Sequence, residues 1–387
     1  MQERKYLYTA EEKFIIWLDG FESLTYRQKS GILSLFPSAA DFVREDGERR
    51  AQLLRIVPEE TLRGMLDTLK KAEYLPTLLS NLAQKGIFCV TLRSADYPES
   101  LRAIPAPPLL LYCRGDRSLL KGDKFAVVGS RRTLSWAQSL AQSFAADLSS
   151  HFTVVTGIAE GGDIAAVKGA LAAAKERGEA RARLICVLAH GLDHVYPAAH
   201  ADILREVSAR GLVVTEHRPD VSPQKFLFPV RNRIIAGLVR GVLVVSGGLR
   251  SGTSITANYA LEYGRDVFAF PYNPGIPSGA GCNALLKNGA APADCLQDIL
   301  SWYGLEEKQA AMPALNEEER KVMRVVCERG ETHIEDIFRD TGIPVYRLSG
   351  ILSGLEVKGL VARAGGNRYA AVGIYSDDAE SKELLPD

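Results

Sequence analysis

The feature that most constrains the fold is an alternation of short apolar segments with longer segments of helical periodicity, from residue 86 to about residue 270. The apolar segments are bounded by turn residues, which is typical of strands that are buried on both faces. The intervening segments repeat apolar residues at the three- and four-residue spacing of helices. Such an alternation forms a parallel sheet covered by helices on both faces. The sequence therefore predicts an α/β fold with an extended Rossmann-like, doubly wound, mostly parallel sheet.

The predicted strands cover residues 87–92, 109–113, 124–128, 153–156, 184–188, 212–215, 242–245 and 266–270. The predicted helices between them cover residues 135–149, 161–176, 199–209, 230–238 and 253–264. We place this domain at residues 83–305.

Smaller regions flank the predicted sheet on both sides. Residues 1–82 have helical periodicity, and Thr9 followed by Glu12 resembles a capping box. This region is either a helical domain of the SAM or helix-hairpin-helix type or a packing domain without a ligand. Residues 304–313 are predicted to form a linker. Two capped helices, a third helix and two strands follow at 314–374, an order that predicts a winged helix. Residues 375–387 form an acidic tail. The third helix offers only Arg347 and Lys358 as cations, so we expect a protein contact or accessory module rather than a sequence-specific DNA reader.

The bulk composition is typical of a folded soluble chain. Of 387 residues, 46% are hydrophobic and 24% are charged, which is enough for two or three domains. The 47 basic and 47 acidic residues give zero net charge, so nucleic acid can bind only through a local basic patch. The sequence contains no run of about 18 apolar residues and no secretory segment. The 6 cysteines are scattered without a CxxC pair, which predicts reduced thiols in the cytoplasm and no metal site. We also expect no membrane contact, because a long apolar run is missing, and no cofactor.

A local patch of this kind lies between Asp220 and Glu262, where the sequence contains no acidic residue. Phe226 and Phe228 flank its first cations, and Pro229 is suited to the first turn of a helix. The basic residues of the patch are Lys225, Arg231, Arg233, Arg240 and Arg250. One interpretation is a corner that binds phosphates and bases. The other is an amphipathic helix with apolar residues inward and solvated arginines.

Glycine- and hydroxyl-rich loops follow the strands on either side of this patch. Gly129, Ser130 and Arg131 follow the strand at 124–128, at the place where a doubly wound sheet binds ligands. This turn has neither a GxGxxG nor a GxxxxGK[ST] pattern, so neither a dinucleotide nor triphosphate hydrolysis is predicted. A second loop covers 157–163, in which Asp163 is expected to cap the next helix. A third loop at 246–256 contains Ser251, Gly252 and Thr256 and is also suited to anions.

The sequence contains no constellation typical of hydrolytic catalysis. His190, His194 and His200 are close in sequence, but Gly191 interrupts any helix that would align them on a metal. No acid–base or nucleophile–base pairing is evident, so we expect a protein that is not an enzyme. The alternative is a nucleoside-monophosphate phosphoribohydrolase, because the loop at 247–253 with Glu262 is loosely similar to the nucleotide loop of those enzymes.

The order of these motifs resembles the DNA-processing protein A (DprA, also called Smf) family. The matching segments cover residues 97–101, 127–131, 157–163, 191–197, 228–237, 251–256 and 281–290, of which Phe-Pro-x-Arg-Asn-Arg-Ile-Ile-Ala-Gly at 228–237 is the most specific. The C-terminal winged helix also resembles that of the family. The resemblance implies a dimeric, non-enzymatic protein that binds single-stranded DNA and loads the RecA recombinase during transformation.

The resemblance also implies roles for individual residues. Gly129, Ser130 and Arg131 would hold phosphate, Lys225 would reach the DNA backbone, and Phe228 would stack on a base. Arg231, Asn232 and Arg233 would shape the same pocket. The chain departs from the usual family pattern at Glu160, Gly162, Val167, Ser246 and Gly247, the first of which replaces a basic residue.

Overall fold

The structure is a computed structural model that describes residues 7–44, 47–305 and 315–371. The chain forms two compact units, Met1–Leu296 and Gln297–Asp387. The N-terminal helices belong to the same unit as the large sheet, and the domain boundaries after residues 82 and 305 stay predictions. Most of the predicted linker and the whole acidic tail at 375–387 lie outside the described residues.

Six helices come first, and the strands of the predicted sheet then follow with helices between most of them. Its helices are α1 Ala10–Asp19, α2 Tyr26–Leu35, α3 Ala39–Val43, α4 Gly47–Leu54, α5 Glu59–Lys70, α6 Tyr74–Gln84, α7 Glu99–Arg102, α8 Ser135–Leu148, α9 Gly162–Glu176, α10 Ala201–Arg210, α11 Leu227–Leu238, α12 Gly252–Glu262 and α13 Ala280–Lys287, and α14 Leu296–Trp302 follows at the unit boundary. Its strands are β1 Phe88–Thr91, β2 Leu110–Gly115, β3 Lys124–Gly129, β4 Thr153–Thr156, β5 Leu184–Val187, β6 Leu212–Thr215, β7 Gly241–Ser246, β8 Asp266–Ala269 and β9 Ala291–Pro292.

The strands form one sheet of order β1-β2-β6-β5-β4-β3-β7-β8-β9. Strand β2 runs antiparallel to both of its neighbours, and the other pairs are parallel. This confirms the predicted doubly wound, mostly parallel sheet. The chain moves outward in one direction from β3 to β6 and in the other from β7 to β9, so the order reverses between β3 and β7. The crevice beyond the carboxyl ends of these two strands is where such sheets bind ligands.

The N-terminal helices pack around an aromatic core. Phe14 and Trp17 of α1 stack at 5.4 Å between ring centroids, and both rings contact Phe42. The predicted capping box is present, because Thr9 Oγ1 accepts from the N–H of Glu12 at 3.2 Å and Glu12 accepts from the N–H of Thr9 at 2.8 Å. Helix α1 is joined to the sheet where Tyr112 of β2 donates to Asp19 at 2.8 Å.

The second unit contains a winged helix, as predicted. Helices α15 Glu317–Arg329, α16 Ile334–Thr341 and α17 Val345–Val357 accompany a small sheet of β10 Thr332–His333, β11 Val361–Ala364 and β12 Arg368–Ala371. Arg347 pairs with Glu318 at 3.0 Å, and Lys358 pairs with Glu319 at 2.7 Å. The two cations expected on the third helix are therefore offset by carboxylates of α15. None of the described helices is long and apolar enough to span a membrane.

Candidate nucleic-acid interface

A cavity of about 640 Å³ lies at the reversal point of the sheet, beyond the carboxyl ends of β3 and β7. We call it the basic cavity. All of the residues predicted for the site except Arg233 line this cavity. They are Gly129, Ser130, Arg131, Lys225, Phe228, Arg231, Asn232, Ser251, Gly252 and Thr256. They come from three segments that are far apart in sequence, and the sheet topology brings them together.

The turn after β3 is held in place by its neighbours. Gly129 pairs directly with Ser246 of β7 across the two strands. Ser246 accepts from the N–H of Ser130 through its Oγ at 3.0 Å, and donates to Ser130 Oγ at 3.2 Å. The N–H of Gly129 donates to the Asp163 carboxylate at 3.1 Å. These bonds fix the direction of Arg131, the exposed residue that follows the turn.

Asp163 does not cap α9, contrary to our prediction. Gly161 occupies the capping position and offers no side chain, and Asp163 is the second residue of the helix. Its carboxylate instead accepts from Gly129 on the adjacent strand. Burial raises the pKa of the Asp163 carboxyl, and the Arg231 guanidinium opposes that rise. Asp163 is therefore a buried acidic group near Arg231 in the lining of the basic cavity.

The loop at 157–161 packs against the turn after β3. Gly161 has a φ of 82°, and a Cβ at this position would lie 2.1 Å from the carbonyl oxygen of Ser130. Glycine is required there both by the positive φ and by this contact. The loop thus holds Glu160 close to Arg131 on the rim of the site.

Helix α11 supplies the centre of the basic cavity. Arg231 is only 5% exposed. Its guanidinium donates to the Val187 carbonyl at the end of β5, and its Nε donates to Asn232 Oδ1 at 3.0 Å. Asn232 Nδ2 in turn donates to the carbonyl of Gly252 at 3.1 Å and so connects α11 to the start of α12. Burial lowers the pKa of Arg231, and Asp163 opposes that change. Arg231 is accordingly a cation of the cavity wall rather than an extended arm.

The exposed members of the site are aromatic and basic. The guanidinium carbon of Arg131 lies 5.5 Å from the centroid of the Phe228 ring, which is a cation–π contact. Phe228 is half-buried in the first turn of α11, and Lys225 is exposed just before that helix. Tyr196 lies beside Phe228, with 5.6 Å between ring centroids. The Phe228 ring thus lies beside one cation, Arg131, and Lys225 lines the same cavity.

Arg233 does not line the basic cavity, contrary to our expectation. Residues two apart on a helix project about 200° from one another, so Arg231 and Arg233 lie on opposite faces of α11. Arg233 donates to the Glu216 carboxylate, and the two side chains are 13% and 16% exposed. Arg233 therefore fastens α11 to the segment that follows β6.

The start of α12 forms the opposite wall. Ser251 caps this helix by accepting from the N–H of Ser254 at 3.3 Å. Gly252 has no atom within 4 Å of a Cβ position, so the cavity stays open at the helix N-terminus. Unpaired N–H groups and the positive end of the helix dipole at such a terminus favour a phosphate.

Most departures from the family pattern lie inside the protein. Val167 is fully buried in α9, and Ser246 forms the turn contacts given above. A Cβ on Gly162 would lie 2.4 Å from the Cα of Gly129, and a Cβ on Gly247 would lie 2.3 Å from Thr253 Oγ1. These glycines allow close approach of the loops around the cavity. Only Glu160 among the departures is exposed.

A second, smaller pocket of about 290 Å³ adjoins the basic cavity, and we call it the side pocket. Arg131, Phe228 and Arg231 line both. The side pocket extends between the loop that contains Glu160 and the segment from Leu188 to Ala198 that follows β5. The sequence did not predict this pocket. The segment at 191–197 was part of the family resemblance, but none of its residues was assigned to a site.

The histidines are held by backbone carbonyls. His190 contacts the carbonyl of Gly191 at 3.0 Å, His194 that of Asp220 at 2.9 Å, and His200 that of Ile158 at 2.9 Å.

The carboxylate on which the phosphoribohydrolase alternative depends is not at the cavity. Glu262 is the last residue of α12, whereas the residues of that helix that line the cavity come from its first two turns. The described geometry gives no support to base release from a nucleoside monophosphate.

Comparisons with known proteins agree with the fold. The family profile of DNA recombination-mediator protein A matches residues 88–304, and the DprA winged helix domain matches residues 306–367. The DNA processing protein DprA of Bacillus subtilis (strain 168) is 36% identical over 227 residues, which cover 58% of this chain and 74% of that protein. The corresponding protein of Streptococcus pneumoniae is 39% identical over 207 residues, which cover 54% of this chain and 71% of that protein.

A solved structure shows the same fold. The X-ray structure of DNA processing protein A from Streptococcus pneumoniae matches with a TM-score of 0.62 and 31% identity, and the match covers 78% of this chain and all of that one (100%). With the matched profile, the relatives and the shared fold in agreement, this chain belongs to the DNA recombination-mediator protein A family.

Proposed function

We propose that this protein binds single-stranded DNA in the basic cavity, without chemical turnover. The observation that carries the proposal is that Arg131, Lys225 and Phe228 line one cavity although they come from two distant segments. A basic groove with an aromatic platform is the arrangement by which proteins hold single strands without strong sequence preference.

Each part of the site has a role in this proposal. The N–H groups at the α12 N-terminus donate to a backbone phosphate, and Arg131 pairs with the same phosphate. Lys225 contacts the next phosphate along the strand. Phe228 stacks on a base that has been turned away from its neighbours, which a paired duplex does not offer. Because the chain has zero net charge, these few cations must supply the attraction for DNA.

Replacing Arg131 or Lys225 with alanine is expected to weaken binding to the same degree for all base sequences. Each variant should also reduce the slope of log affinity against log salt concentration by about 0.7, because one phosphate contact is lost from a single strand. Fluorescence anisotropy titrations at several salt concentrations measure both quantities.

Lys175→Ala is the matched control, since Lys175 is an exposed cation in the last turn of α9 and not a cavity residue. Its affinity and slope should equal those of the unmodified protein. Wild-type slopes in both Arg131→Ala and Lys225→Ala would remove the basic cavity as the DNA site.

We further propose that the protein acts as a cytoplasmic homodimer that loads RecA recombinase onto incoming single strands during transformation. The support is family membership together with the geometry of the cavity. Adding the protein should accelerate RecA filament formation on single-stranded DNA, measured as DNA-dependent ATP hydrolysis by RecA. Arg131→Ala should lose this stimulation. Stimulation that is unaffected by loss of DNA binding would separate the RecA role from the basic cavity.

A further inference from the structure

The carboxylate of Glu160 lies at the side pocket, where a base stacked on Phe228 would enter. Glu160 is exposed on its rim, and in the part of the chain that the structure describes its side chain has neither a hydrogen bond nor an ion pair. Arg131 is adjacent through the packed loops, but its guanidinium lies over the Phe228 ring instead. A carboxylate beside a polyanion is repelled unless a donor on the ligand satisfies it.

The rest of the side pocket fits a nucleobase. Ile158, Leu188 and Val195 provide apolar walls, and Tyr196 and Phe228 provide aromatic rings. The imidazole of His190 is hydrogen-bonded to the carbonyl of Gly191. Glu160 is the carboxylate of the described pocket lining, and its two oxygens can accept a pair of hydrogen bonds from a base. Since Phe228 and Arg131 border both cavities, a nucleotide can place its phosphate in the basic cavity and its base in the side pocket.

We propose that Glu160 gives this protein a preference for guanine at the nucleotide held by Phe228, an inference that rests on the proposed binding of single-stranded DNA. A carboxylate has only acceptors. The Watson–Crick edge of guanine carries an imino and an amino N–H side by side, which matches the two carboxylate oxygens. Adenine and cytosine carry one amino group on that edge, and thymine carries one imino N–H between two carbonyl oxygens that a carboxylate repels. Unstacked bases are commonly recognised through this edge.

The test uses oligothymidylate of about 12 nucleotides, in which the central position is dT, dC, dA, dG or deoxyinosine. The unmodified protein should bind the dG oligonucleotide about tenfold more tightly than the all-dT one, because a good bidentate contact discriminates by that order. Deoxyinosine lacks the amino group of guanine, so its oligonucleotide should lose most of the tighter binding seen with dG. The dA oligonucleotide shows how much of that tighter binding is due to purine stacking alone.

Glu160→Gln should reduce the preference for dG to less than about twofold and strengthen binding of the all-dT oligonucleotide, because the repulsion is removed. The matched control is Glu176→Gln, which removes an exposed carboxylate at the opposite end of α9 and should keep the full preference. A preference for dG that survives in Glu160→Gln, or equal binding of dG and deoxyinosine by the unmodified protein, would overturn the inference. If all five oligonucleotides bind with equal affinity, only this inference fails. If none of them binds, the proposed function fails.

Discussion

Replacing Arg233 with alanine is expected to lower the free energy of unfolding by about 3 kcal/mol, while the folded variant binds single-stranded DNA with unchanged affinity. Arg233 and Glu216 form an ion pair in which the side chains are 13% and 16% exposed. The variant leaves the carboxylate in a site with little water and without its cation, which costs more than the pair itself contributes. Urea denaturation followed by circular dichroism measures the loss of stability, and anisotropy titration measures DNA binding.

The loss of stability should depend on pH. Burial already raises the pKa of Glu216, and Arg233 opposes that rise. Without Arg233, the folded-state pKa moves further above the unfolded value, so the folded state holds the proton more tightly. Stability is then lost as pH rises through the folded-state pKa, and the deficit of the variant should be larger near pH 8 than near pH 5.

Arg205→Ala is the control for this prediction. Arg205 pairs with Asp202 at 3.0 Å, but the side chains are 78% and 88% exposed, so its removal should change stability by less than about 0.5 kcal/mol. Weaker DNA binding by Arg233→Ala, with the stability of the unmodified protein, would contradict this prediction. It would mean that Arg233 belongs to the DNA-binding site, as the family resemblance implies.

The fold was predictable because its strands are buried on both faces. Each of the predicted strands is present. The apolar pattern of each strand identifies it without knowledge of which strand it pairs with. The direction of β2 was not predictable, because a fully buried strand has the same apolar pattern whether its neighbours are parallel or antiparallel. Strand β9 was missed because it has only 2 residues, one of them Pro292.

The site was predictable where topology alone brings residues together. Arg131 follows β3, and Lys225 and Phe228 precede and begin a helix that ends at β7, so all three reach the same end of the sheet. The roles of Arg231 and Arg233 depend instead on which face of α11 they occupy and on which buried acid each one meets. The Asp163 carboxylate lies near Arg231, and Glu216 forms an ion pair with Arg233. Neither arrangement follows from spacing in the sequence. The side pocket likewise depends on the packing of a loop after β5 against Phe228, which is visible only in three dimensions.

Replacing Phe228 with alanine is expected to weaken single-stranded DNA binding by roughly 1–3 kcal/mol, or about 5- to 150-fold. The ring contacts Arg131 and Tyr196 and borders both cavities, so it is the surface on which a base can stack. The loss should be of similar size for oligonucleotides of dT, dC and dA, because every base has a face that can stack. The slope of log affinity against log salt should stay unchanged, since no phosphate contact is removed. This last result separates Phe228 from Arg131, whose removal reduces the slope.

Phe226→Ala provides the matched control within the same segment. Phe226 is 64% exposed, it precedes α11, and it lines neither of the two described cavities. Its removal should change the affinity by less than about twofold. Phe228→Leu keeps apolar area without an aromatic face and should recover only part of the affinity, because stacking requires a flat ring. Full affinity in Phe228→Leu would mean that Phe228 acts by filling space, and equal losses in the two phenylalanine-to-alanine variants would remove the stacking platform from the proposed function.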